Sequence, residues 1–137
     1  MIAGILDTSV VHRLSDQLIG DAVEDGVADG RLALCAPVVF EVCFSARNAP
    51  DLAGLRDDLD AFPMVRTHQA TFDRALEVQA ALAETGRHRA ASMTDLLVAA
   101  PAEANDLAVI HYDADFDLIA EVTGQRTEWV VPRGWVD

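Results

Sequence analysis

The chain has 137 residues, 51% of them apolar, which supports one hydrophobic core and not two, so a single domain over residues 1–137 is expected. Ten basic residues against 23 acidic ones leave a formal charge of −13, which excludes nonspecific attraction to a nucleic-acid backbone. All ten basic residues are arginine, which excludes chemistry that needs a lysine, phosphate-cradling loops and receiver-type sites included.

The apolar segment from Ile2 to Leu6 reads as a strand stopped by Asp7, with Thr8 or Ser9 capping a helix whose face is Val10, Val11, Leu14 and Leu18. A second amphipathic piece from Asp21 to Asp29 ends at Gly30. Arg31 to Ala36 alternates as a strand, and Pro37 opens a helix that carries Glu41. Leu52, Leu55, Leu59 and Phe62 mark another helix, closed by Pro63, with a short strand at Met64 to Thr67. A longer helix from Ala70 to Thr85 stops at Gly86, and the polar loop Arg87 to Ala91 leads to Ser92, the cap of a helix with Asp95 in its first turn. Ala108 to Tyr112 is a strand ending at Asp113, Asp115 to Val122 a helix followed by Gly124, and Thr127 to Val131 a final strand. No apolar run approaches the roughly 18 residues of a membrane span, and the first residues lack a basic start or a cleavage site, so a cytoplasmic protein is expected. Cys35 and Cys43 flank Pro37 in elements read as buried, which favours reduced thiols over a disulfide.

Strands alternating with helices predict a mostly parallel sheet covered on both faces, a three-layer α/β/α sandwich. Sites on such sheets lie beyond the C-terminal strand ends, where Asp7 and Asp113 stand and which Asp95 and Glu41 can reach from neighbouring helices. Converging carboxylates suit hard divalent cations, which activate water and stabilise the leaving oxygen of a phosphodiester. Each acid also has a plainer explanation. Asp95 fits a Ser-x-x-acid capping box with Ser92, and Asp7 fits a strand terminus or a cap. Glu41 is harder to explain away. Val38, Val39, Phe40, Val42, Cys43 and Phe44 surround it, so its helix reads as apolar all round and largely buried, and a buried acid needs a partner, an arginine such as Arg47 or Arg13, or a metal. Asp113-Ala114-Asp115-Phe116-Asp117 imitates the opening of an EF-hand loop, yet Leu118 stands where glycine is required and Gly124 where the bidentate glutamate belongs. Of these three, Asp113 is the best ligand candidate, Asp115 a second ligand or a cap, and Asp117 a solvated acid. His12, His68, His88 and His111 lack zinc spacing and read as surface or core residues. Ser9 and Thr94 are placed to support a carboxylate, with capping as the plainer duty.

Taken together, Leu6-Asp7-Thr8-Ser9, the isolated Glu41, Ser92-Met93-Thr94-Asp95-Leu96-Leu97-Val98-Ala99-Ala100 and His111-Tyr112-Asp113-Ala114-Asp115-Phe116 closely resemble the PIN-domain toxins of VapC type over nearly the whole chain. The tail, Thr123-Gly124-Gln125 and Trp129, is similar as well. The resemblance implies a PIN-like α/β/α sandwich and an endoribonuclease that depends on Mg²⁺ or Mn²⁺. It also implies a homodimer and inhibition by a VapB-type antitoxin. Asp7, Glu41, Asp95 and Asp113 would be the catalytic acids, with Asp7, Asp95, Asp113 and Asp115 holding metal, and metal-activated water would attack phosphorus in line with the departing ribose oxygen. Arg87 and Arg89 are candidates for RNA phosphate contacts, with solvated loop arginines as the equal alternative. Pro101 departs from the family pattern, since a mid-helix proline clashes with the carbonyl of Leu97, and a kink is expected there. Two other readings use the same residues: a PIN ribonuclease of RNA processing, and an inactive PIN-fold binding module. A haloacid-dehalogenase-type phosphatase is disfavoured by Asp7-Thr8-Ser9 and the lack of lysine.

Overall fold

The computed structural model describes residues Met1–Asp137. Short aliphatic runs become five strands, β1 (Gly4–Leu6), β2 (Leu32–Cys35), β3 (Met64–Val65), β4 (Ala108–His111) and β5 (Thr127–Trp129), all parallel in the order β3-β2-β1-β4-β5. The helices are α1 (Thr8–Val11), α2 (Gln17–Ala28), α3 (Ala36–Phe44), α4 (Ala49–Leu59), α5 (Gln69–Ala83), α6 (Met93–Ala104) and α7 (Asp115–Thr123). Strand order reverses at β1, whose register with β4 pairs Leu6 with Ile110. The carboxyl ends of these two strands therefore form a crevice, with Asp7 directly beyond β1 and Asp113 two residues beyond β4.

The central strands β2, β1 and β4 are buried on both faces and are mostly apolar: Ile5, Leu6, Leu34 and Val109 are fully enclosed. Helix α6 packs on β1 and β4, and α5 and α7 pack on α6. Val98, Phe116 and Ile119 are fully buried at these contacts. A five-stranded parallel sheet flanked by helices is thus the architecture, as the alternating pattern predicts.

Two expectations need correction. The helix read through Val10, Val11, Leu14 and Leu18 is two helices, because Asp7 rather than Thr8 or Ser9 caps α1, and Asp16 then caps α2 by accepting hydrogen bonds from the Leu18 and Ile19 amides. Helix α3 is not buried all round. Its inner side, Val38 and Val42, meets the core, whereas Phe40 and Phe44 are 78% and 91% exposed. Helix α6 runs through Pro101 as one continuous element. Most other boundaries fall within a residue or two of their predicted places, although α4 stops at Leu59, short of the predicted Phe62, and Gly30 and Gly124 adopt positive φ of 68° and 71° where α2 and α7 end.

Candidate metal centre

Asp7 follows the last residue of β1 and is itself the cap of α1, 3% exposed. Its Oδ2 accepts hydrogen bonds from the Ser9 amide at 3.0 Å and the Ser9 hydroxyl at 2.6 Å. Ser9 Oγ in turn accepts the Tyr112 amide at 2.9 Å, tying the ends of β1 and β4 together. Asp7 Oδ1 is buried and has no hydrogen-bond partner. Burial raises the Asp7 pKa against the lowering effect of the Ser9 bonds, and Glu41 adds a smaller repulsion.

Asp95 is both a cap and a site acid. Ser92 Oγ accepts the Asp95 amide at 3.1 Å, and Asp95 Oδ2 accepts the Ser92 amide at 3.0 Å, completing the capping box. Its carboxylate nevertheless lies with those of Asp113 and Asp115, one oxygen from each of the three falling within 4.8 Å of the others. Burial, reinforced by the charges of Asp7 and Asp113, pushes Asp95 up to about 7. Asp115 is raised in the same direction by burial and by Asp113. No arginine forms an ion pair with Asp7, Asp95, Asp113 or Asp115.

Other predicted residues land less centrally. Glu41 is half-buried rather than enclosed, because its helix exposes one face. It accepts no hydrogen bond and lines a groove of about 500 Å³ with Phe40, Phe44, Phe72, Met93 and Thr94. Thr94 makes no side-chain hydrogen bond, and Ser92 is the hydroxyl that serves Asp95. Arg87 is engaged elsewhere, donating to Glu121 on α7 at 3.0 Å and to Thr85 Oγ1 at 2.9 Å, while Arg89 is exposed and forms no ion pair. Asp117, expected to be merely solvated, accepts the Trp129 indole N–H at 3.1 Å.

Two features escaped sequence reasoning. His111 is fully buried against Phe116 and Trp129, and its Nδ1 accepts the Asp113 amide at 3.2 Å. The second is a clasp at the C-terminal segment. The Tyr112 hydroxyl donates to the Val136 carbonyl at 2.7 Å and accepts the Gly134 amide at 2.9 Å, and Arg13 lies 5.2 Å over the Tyr112 ring. The sequence signal for either was only an aromatic-rich segment around Asp113.

A family model described as "PIN domain" matches residues 4–122. Ribonuclease VapC51 of Mycobacterium tuberculosis is 43% identical over 133 residues, covering 97% of this chain and 96% of the relative. Ribonuclease VapC18 of the same species is 36% identical, covering 94% and 96%. Among solved structures, VapBC-5 from M. tuberculosis superposes with a TM-score of 0.62 at 26% identity over 93% of this chain and 97% of that one. DNA-bound VapBC from Salmonella typhimurium superposes with a TM-score of 0.78 at 17% identity over 96% and 100%. With acids gathered at the strand-end crevice and relatives matched along nearly its full length, the chain belongs to the PIN-domain family of VapC ribonucleases.

Proposed function

We propose that the chain hydrolyses RNA phosphodiesters as a VapC-type toxin, with Mg²⁺ or Mn²⁺ held by Asp7, Asp95, Asp113 and Asp115. The observation that carries this reading is the convergence of three carboxylates within 4.8 Å with no arginine paired to any of them. Such a cluster is unfavourable by itself and fits a hard cation that takes oxygen ligands. The partnerless buried Asp7 Oδ1 beside it fits the same donor set. A bound divalent cation supplies activated water and stabilises charge on the departing ribose oxygen.

The protein's own part is placement. Ser9 orients Asp7 through two hydrogen bonds, the capping box fixes the first turn that carries Asp95, and the Asp115 amide donates to Asp113 Oδ1 at 2.9 Å. Glu41 is assigned as the fourth catalytic acid at the margin, facing the groove through which substrate would enter. Arg89 is retained as a phosphate contact, and Arg87 is dropped because its guanidinium is already engaged.

Phe40 and Phe44 of α3, Phe72 and Leu76 of α5 and Met93 of α6 are exposed apolar side chains, the kind of surface a protein partner covers. Several similar solved structures are titled as VapBC or toxin–antitoxin complexes. Both facts support a homodimer and a VapB-type antitoxin as the protein partners. Purified antitoxin-free protein is expected to cut mixed cellular RNA with Mg²⁺ or Mn²⁺ and not with chelator. Asp95→Asn, which keeps an acceptor for the Ser92 amide, should fold and lose cleavage. Equal cleavage by the variant, or cleavage in chelator, would overturn the metal reading.

A further inference from the structure

The last residue of β4 has a place in the centre that neither its residue type nor its spacing announces. His111 is 0% exposed, its ring centroid 5.1 Å from that of Phe116 and 5.0 Å from that of Trp129. Nδ1 accepts the Asp113 amide at 3.2 Å, so that nitrogen is unprotonated and the proton of the neutral ring sits on Nε2, which is buried without a partner. A phenylalanine or leucine would fill the same space and leave no buried nitrogen unpaired. Aromatic packing therefore does not account for a histidine here, and the bond at Nδ1 does.

The recipient of that bond matters more than the ring. The Asp113 amide has no other acceptor. The rest of Asp113 is held as well, its carbonyl accepting the Phe116 amide at 3.2 Å and its Oδ1 accepting the Asp115 amide at 2.9 Å. Asp113 Oδ2 accepts no hydrogen bond from the protein. The residue is thus pinned at its amide, its carbonyl and one carboxylate oxygen, with the other oxygen left for the cluster.

We infer that His111 is a positioning residue for the metal centre, its Nδ1 fixing the Asp113 main chain and through it the carboxylates of Asp113 and Asp115. This role rests on the metal reading proposed above. Loss of a residue that orients a metal ligand typically weakens metal binding about 10- to 100-fold. Asparagine carries its side-chain oxygen where Nδ1 stands, whereas glutamine carries it nearer to Nε2, and the pair separates the bond from polarity alone.

The test is Mn²⁺ titration by calorimetry of the wild-type protein, His111→Asn, His111→Gln and His111→Phe, with circular dichroism to confirm folding. Asn is expected to bind within about threefold of wild type, and Gln and Phe at least about tenfold more weakly. Equal affinities of folded Asn and Gln variants would overturn the role of His111 while leaving the metal reading standing. No Mn²⁺ binding by the wild type would overturn both. Should the variants not fold, the ring tautomer read by nitrogen-15 NMR of wild-type protein decides, with an Nε2–H tautomer expected and an Nδ1–H tautomer refuting the proposal.

Discussion

Asp95 shows how one side chain serves the fold and the site with opposite electrostatic demands. As a cap it is stabilised when charged, at the start of α6, yet burial and the neighbouring Asp7 and Asp113 charges oppose ionisation and push it to about 7. Its folded value lies above that of the unfolded chain, so its contribution to stability is complete below about pH 4 and is lost as pH rises through about 7. Asp7 and Asp115 shift in the same direction. The metal-free protein is therefore expected to melt at a higher temperature at pH 5.5 than at pH 8, with the difference reduced in Asp95→Asn and by saturating Mn²⁺. Thermal melts in chelator across this range check it, and a flat profile would show that these acids are not linked to folding. The acids were legible in sequence because each stands at a strand end or a cap, positions that local pattern reveals. The partners of Arg87 and His111 were not legible. Glu121 lies 34 positions from Arg87, and a buried histidine looks the same in sequence whether or not its ring accepts an amide.

At the level of elements, α6 carries a proline in its interior. Its proline leaves the Leu97 carbonyl without the usual donor, and a proline in a helix interior is worth roughly 3 kcal/mol less than alanine. Here the element is continuous and Pro101 is buried, and the helix is held from outside its own ladder. Arg74 on α5 forks onto Glu103 at 2.7 and 3.1 Å, and the Gln125 side chain donates to the Ala99 carbonyl at 2.9 Å. Pro101→Ala restores the backbone bond and removes about two methylenes of packing, together worth roughly 1.5 kcal/mol. The net expectation is stabilisation by about 1.5 kcal/mol with Mn²⁺ affinity unchanged, checked by urea unfolding and calorimetry. A change in metal affinity would show that the proline sets the angle at which Asp95 is presented. Periodicity located nearly every helix and strand, and it failed where a polar cap restarts a helix at Asp16 and where an apolar face stays uncovered on α3.

For the whole molecule, charge and apolar exposure act in different places. A net charge of −13 repels the RNA backbone, so the proposed affinity for RNA is expected to depend on divalent cations at the centre and on local contacts such as Arg89. The apolar face does the opposite for proteins. Phe40 and Phe44 project from α3, and Leu76 and Met93 stand exposed on α5 and α6. Phe44→Asp is expected to reduce the mass found by light scattering from twice that of the chain toward that of one chain, with the far-ultraviolet spectrum unchanged. A wild-type protein already of single-chain mass would remove the dimer from the proposal. That α3 carries an apolar excess was visible in sequence. Which part of it stays outside the core was not, because that depends on what α4 and α6 cover.

The order in which the chain is made has a consequence for the cell that makes it. Ser9 and Tyr112 meet across 103 positions of sequence, and β1 has no neighbour on one side until β4 arrives. Parallel strands so far apart cannot pair early, since the intervening crossovers must be in place first. A growing polypeptide therefore carries Asp7 out of the ribosome well before Asp113 and Asp115 exist to join it. The carboxylate cluster is completed only in the final quarter of translation, so a half-made chain does not yet hold the centre proposed to cut RNA.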